Sequence, residues 1–292
     1  GHAASATDLW HCSQIQHWLE PRSEVLQKLR KVGDQCRRRN DLLLSQEQRV
    51  LWYQLIALKG ETSLSRIRQR CQQDIDNLKH APTPLADQLR ISGQLQADYL
   101  QGRALLPKKP VYETPHQAAH LIRAALLLNK QSLWPSLYSW QAQLERDLPG
   151  YLVISDTLFC LTLMRLIQSQ QEQQLSPRRA RFVEQSESRF ELWSQYCPEN
   201  FSGQQHLLSA EKSRITSDKA DNIAGQYEEV IRIFSANQLQ VHLALAYERY
   251  ADFLNGQHQN VLAELCLAKA RKLYQGWGAT AKVALLDEML SA

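Results

Sequence analysis

Glycine and proline are scarce, 11 and 10 in 292 residues. No stretch alternates polar and apolar residues with period two, and no Asn-Gly or Asp-Gly hairpin joins two such stretches. A sheet is therefore excluded as the main architecture. The six cysteines, Cys12, Cys36, Cys71, Cys160, Cys197 and Cys266, form no C-x-x-C pair and mostly occupy apolar helical positions. They read as buried free thiols of a reducing compartment, which places the chain in the cytoplasm. The phosphate-cradling G-x-x-x-x-G-K-[ST] loop is missing, as are G-x-S-x-G and G-x-G-x-x-G. ATP binding by the usual loop and serine-elbow hydrolysis are not expected. The longest apolar run, Tyr151 to Ile167, is interrupted by Ser155, Asp156, Thr157, Thr162 and Arg165. It is too short and too polar for a membrane span. No signal peptide is visible, and the Gly-His opening without Met reads as a tag remnant over residues 1–2. Net charge is only +4, with 25 Lys+Arg against 19 Asp+Glu before Pro198 and 9 against 11 after it. So mild a balance calls for neither nucleic acid nor an anionic membrane.

What is present favours helix. The apolar fraction is 43%, enough for a real core. Val25, Leu29, Val32 and Cys36 form one stripe at helical steps. Ser45-x-x-Gln48 has the form of a capping box opening a helix that carries Leu51, Leu55 and Leu58 and ends near Gly60. Thr83-Pro84, Thr114-Pro115 and Ser176-Pro177 each place a hydroxyl cap before a proline at the first helical position. Further helices are expected at 8–20, 62–80, 132–148, 151–173, 202–215 and 218–236, the last capped by Asp218. The 151–173 helix is apolar nearly all round and belongs at the centre. Pro107-Lys108-Lys109-Pro110 cannot be helical.

Near the end, Ala251, Ala263 and Ala270 are spaced by twelve and seven, the spacing of close-contact positions in a tetratricopeptide-type pair. Short side chains let two helices approach, and larger neighbours fill the space between. Tyr247, Tyr250 and Leu254 surround Ala251, and Leu267 accompanies the later alanines. Ala210, Ile223, Tyr227 and Val230 fit the preceding pair, and Trp277 closes the last one. The fold is expected to be all-α: about fourteen helices in antiparallel pairs forming a TPR-like superhelix. Residues 3–106 would be the N-terminal hairpins, 107–114 a Pro/Lys loop, 115–197 the central helices and 198–292 the C-terminal repeats.

Tyr247-Glu248, Ala251, Phe253, Ala263, Ala270-Arg271, Tyr274 and Trp277-Gly278-Ala279-Thr280-Ala281-Lys282-Val283 resemble the end of a helical-repeat region found in large bacterial signalling ATPases. Tyr196-Cys197-Pro198-Glu199-Asn200-Phe201 is similar to a second marker of that family, a turn between repeats. The likeness is specific from about Tyr196 to Ala292 and diffuse before. It implies a parent in which a serine/threonine kinase-like domain and a STAND-type ATPase precede the repeats, and a GAF domain, often with a histidine kinase, follows. No catalytic residue carries over, because those motifs lie outside this segment.

Other side chains weigh little toward chemistry. His116-x-x-x-His120 puts two imidazoles on one helix face, but no third ligand for zinc is obvious. Asp8, His11 and His17 are no better, and His206, His242 and His258 have no acidic partner at fixed spacing. Glu228-Glu229 and Asp287-Glu288 read as solvated faces. Arg37 to Arg39 and Arg178, Arg179 and Arg181 read as solvent-facing charge. Catalytic, cofactor and metal sites are therefore expected to be absent. Trp134, Tyr138, Trp140, Trp193 and Tyr247 are the aromatics picked as groove-facing. The expected role is a non-catalytic scaffold whose partner is protein, either a flanking ATPase, kinase or GAF domain or another chain. The alternative is a sensor of a small-molecule inducer.

Overall fold

The computed structural model describes residues 16, 18–39, 41–78, 83–148, 150–216 and 219–291. Asp8, Trp10, His11, Cys12, His17 and Asp218 lie outside them, as do the side chains of Arg37 and Thr83. The described residues are all-α: α1 Arg22–Arg39, α2 Leu42–Lys59, α3 Leu64–Asp76, α4 Thr83–Arg90 and, through a π-turn at Ile91–Leu95, α5 Gln96–Leu100. Next come α6 Pro115–Leu127, a 3₁₀ turn Gln131–Leu133, α7 Trp134–Tyr138, α8 Gln141–Asp147 and α9 Leu152–Gln171. The chain ends with α10 Pro177–Tyr196, α11 Pro198–Thr216, α12 Ala220–Ala236, α13 Gln240–Gly256, α14 Asn260–Trp277 and α15 Thr280–Ser291.

Local chemistry sets most boundaries. Thr114 and Ser176 accept from the amides of Gln117 (3.2 Å) and Arg179 (3.5 Å), each with proline following. Gly60 and Gly278 close α2 and α14 in the left-handed region, at φ 78° and 84°. Other boundaries differ from expectation. The cap of α2 is Asp41, whose Oδ1 accepts from Leu44 N at 3.1 Å. Ser45 lies inside the helix, because a carboxylate four residues earlier already meets the orphan amides and the positive helix end. The stretch 132–148 is three short pieces. Pro135 sits in the first turn of α7, and Ser139 Oγ then donates to Ser136 O at 2.7 Å in the break before Trp140. Pro198 starts α11, so Cys197 is a one-residue junction and Pro198-Glu199-Asn200-Phe201 is a first turn.

At the centre lies α9, with seventeen of its 20 residues buried. It is long and apolar enough to cross a membrane, at mean hydropathy 1.4, yet 94% of that window is buried inside the chain, as in the core helix of a globular fold. Its polar residues are accommodated internally. Thr157, Thr162 and Ser169 donate to the carbonyls four residues back, Val153, Leu158 and Arg165, at 2.7–2.8 Å. Ser155 donates to Leu152 O at 2.8 Å. A hydroxyl satisfied by its own helix enters a core at little cost. Leu152 packs with the N-terminal core of Val25, Leu29, Leu51 and Leu55, while Leu158, Leu161 and Leu166 pack in the larger core with Phe190, Leu207 and Ala244. The helix thus joins both cores.

Early and late helices meet. Thr280 Oγ1 donates to Gln101 O (3.0 Å) and Gln101 Nε2 to Gly278 O (3.4 Å). Asn200 accepts from Arg22 N (3.0 Å) and donates to Glu20 O (2.8 Å), tying the start of α1 to that of α11. All nine residues picked for helix packing, Ala210, Ile223, Tyr227, Val230, Ala251, Ala263, Leu267, Ala270 and Trp277, are buried.

Packing is tight between α11 and α12, where a β-carbon on Gly203 would stand 2.4 Å from Phe234 Cε1. Gly225, on the outer side of α12, has nothing within 4 Å. Gly203→Ala should destabilise the protein by about 1–3 kcal/mol through overpacking. Gly225→Ala should stabilise it by up to about 1 kcal/mol. Urea unfolding of the two variants checks this; shifts of the same sign would contradict the close packing.

Candidate functional site

One cleft holds about 510 Å³, within the range of small-molecule sites. Its walls are Gln170 and Gln173 from the end of α9, Arg214 and Ile215 from α11, Ala220 and Ile223 from α12, and Phe253, Gly256 and Gln257 from α13. Beneath it Glu211 is fully buried. Its Oε1 accepts from Arg249 Nε (2.9 Å) and Tyr227 Oη (2.8 Å), and its Oε2 from Arg249 (2.9 Å) and Gln170 Nε2 (2.7 Å). Arg214 stands 3.6 Å away and donates to Asp252 at 2.8 Å, and Arg249 reaches Asp252 at 3.2 Å. Two guanidinium groups face two carboxylates, so the network is balanced. Burial pushes the Glu211 carboxyl up, but Arg249 and Arg214 outweigh it and hold it at about 2. Burial and the Glu211 charge drive Tyr227 well above the ordinary tyrosine range. Glu211 and Tyr227 therefore stay in one ionisation state through neutral pH. Their role is to tie α9, α11, α12 and α13 together below the cleft.

A second polar network surrounds Asp156 on α9. Its Oδ2 lies 3.4 Å from Arg123 of α6, and its Oδ1 3.4 Å from His242 Nε2 of α13. Burial raises the Asp156 carboxyl; Arg123, His242 and Arg22 bring it down to about 2. Burial, opposed by Asp156, lowers His242 to about 4, and burial with His116 and Arg123 lowers His120 to about 3. His120 Nδ1 is 3.2 Å from Gln96 Oε1. The sequence carried no sign of this convergence: His242 gains its acidic partner through the fold, from another helix.

The aromatics picked for a groove separate. Trp134 is fully buried and Trp140 nearly so; both are core residues, correcting the expectation that they face a ligand. Trp134 Nε1 donates to Ala125 O at 3.4 Å, and Trp140 packs edge-on to Tyr112. Trp134 opens α7 and Trp140 immediately precedes α8, two short helices packed against α6, and a bulky ring there fills the space between elements. Tyr138 is half-buried with its face covered by Arg165, whose guanidinium is held between the Tyr138 and Phe182 rings at 4.1 and 3.8 Å. Trp193 is half-buried and, with Trp18, lines a recess of about 390 Å³ that also includes Glu145, Leu148, Ile154 and Arg189. The two indoles are 4.9 Å apart, and Trp18 Nε1 donates to Gly150 O at 2.8 Å. Tyr247 is half-buried under Lys269. Trp193, one of the aromatics expected to face a groove, is among the residues lining this recess. No sequence signal marked the 510 Å³ cleft, whose lining is mostly glutamine and small residues.

Among the described residues no group of three or more His, Cys, Asp or Glu side chains is gathered as a metal would require. His116 is more exposed than His120 and packs edge-on to Tyr151. Of the carboxylates and arginines read as solvated, Glu229 pairs with Arg232 (2.5 Å), and Arg179 and Asp287 pair with Glu172 and Arg271. Cys71, Cys160, Cys197 and Cys266 are buried free thiols, and Cys36 is buried as well.

Removing one member of the lower network leaves a buried charge alone. Glu211→Leu should cost about 3–5 kcal/mol, and adding Arg249→Leu should return part of it. Urea unfolding of the single and double variants measures this, and a single-variant loss below about 1 kcal/mol would contradict the buried pairing. The network around Asp156 sets an acid response. A histidine lowered from 6.5 to about 4 takes up its proton in the unfolded chain first. Stability is therefore intact above pH 6.5 and falls as pH drops toward 4, by on the order of 3 kcal/mol for His242. The depressed Asp156 and Glu211 extend the loss from about pH 4 toward 2. His242→Gln should flatten the fall between pH 6.5 and 4 in thermal melts; an unchanged slope would refute the burial of a neutral imidazole.

No protein-family model, curated protein or solved structure matches this chain.

Proposed function

We propose that this chain is a non-catalytic, TPR-like scaffold and regulatory module of a larger cytoplasmic signalling protein. It would present a helical surface to a flanking ATPase, kinase or GAF domain, or to another chain, and pass the resulting bias between them. The carrying observation is on α14. Its inner face buries Ala263, Leu267 and Ala270, while Val261, Leu262 and Leu265 point outward with 73%, 50% and 55% of their surface exposed. The spacings of three and four put these three on one side of the helix. A contiguous apolar ridge on the outer face of a helix pair is the kind of surface a neighbouring element covers. The likeness of residues 196–292 to the repeat region of signalling ATPases supports the same reading.

A second reading rests on the 510 Å³ cleft. With Arg214, three glutamines and Phe253 around it, the cleft suits a polar small molecule, as in a helical-repeat sensor.

The scaffold reading is tested with the parent protein. Leu262→Asp with Leu265→Asp should weaken capture of the adjoining ATPase segment at least about tenfold and alter its ATP turnover while leaving the helical circular-dichroism spectrum intact. Binding and turnover equal to the wild type would overturn it.

A further inference from the structure

Arg22, the first residue of α1, is 2% exposed, and its Nε and both terminal nitrogens have no acceptor among the described residues. Its main chain is fixed: Arg22 N donates to Asn200 Oδ1, and Asn200 Nδ2 donates back to Glu20 O. The backbone is thus held at the joint between α1 and α11, with the guanidinium buried behind it. The groups that act on it electrostatically are Asp156, Arg123 and Cys197. Arg123 already claims the one carboxylate, at 3.4 Å. Burial pushes the Cys197 thiol up to about 11, so it carries no charge at neutral pH. Burial lowers Arg22 only to about 10, so it remains a cation there. His120 and His242 are neutral. Two buried cations face one anion, and one positive charge is left over.

An uncompensated charge inside a protein is strongly destabilising, and guanidinium N–H donors without acceptors add to that cost. Water would satisfy the donors but not the charge. The starts of α1 and α11, at Arg22 and Pro198, meet here and add their positive ends. We infer that the Arg22 guanidinium, at the joint of α1 and α11, binds a small monovalent anion, chloride. Charge selects the class. A monovalent ion matches the single excess charge, whereas a phosphate or sulfate dianion would reverse it. The anion would neutralise the polar core and lock α1 against α11, so it is structural in effect.

Two measurements test this. Crystals grown in sodium bromide, measured at the bromine edge, should show an anomalous peak within hydrogen-bonding range of the Arg22 nitrogens. In solution, replacing gluconate by chloride at fixed ionic strength should raise the melting temperature by about 2 °C, and Arg22→Met should abolish that rise. A site holding only water overturns the inference, as does a wild-type melting temperature that ignores chloride. An equal rise in Arg22→Met marks a general salt effect and overturns it too. If that variant does not fold, the bromide peak and the wild-type chloride response decide.

Discussion

One helix must be apolar on every side and still carry Asp156 and Arg165. That requirement on Leu152–Gln171 shapes the rest of the molecule. A helix buried all round needs neighbours all round, and it obtains them from α6, α10, α11 and α13. Its hydroxyls bond to its own carbonyls, so they make no demand on those neighbours. Asp156 and Arg165 do. Asp156 draws Arg123 and His242 to one point, and Arg165 is enclosed by Tyr138, Phe182 and Gln141. Each demand fixes the rotation of a helix that apolar packing alone would leave free to slide.

The same logic recurs one layer out. Glu211 does for α9, α11, α12 and α13 what Asp156 does for α6, α9 and α13. Lys282 and Tyr274 do it for the last three helices by converging on Glu248. Buried ion pairs of this sort contribute little net stability against an apolar equivalent, but they penalise misalignment heavily. Outside these networks lie the exposed apolar ridge on α14 and the cleft beside Arg214.

Much of this was legible in the residues. Thr114-Pro115 and Ser176-Pro177 announced two helix starts because a cap and a fixed φ are local properties. The all-round apolarity of α9 announced its central place. The alanines at 251, 263 and 270 announced close packing, and all three are buried. What stayed hidden was non-local. His242 has no acidic neighbour in the chain, and its pairing with Asp156 exists only once α9 and α13 lie side by side. Arg22 reads as an ordinary helix-start cation until Asn200 pins it inside. Trp134 and Trp140 look like groove aromatics because size and polarity cannot say which way a ring faces. The contacts of Gln101 with Gly278 and Thr280, which bring early and late helices together, leave no periodic trace.

Native-state hydrogen exchange along the chain tests the central claim most directly. If α9 is the element every other helix is fitted to, its amides should exchange only through global unfolding and should be the last to do so. Amides of Leu152–Gln171 that exchange through local openings, with less protection than those of α1 or α15, would contradict it.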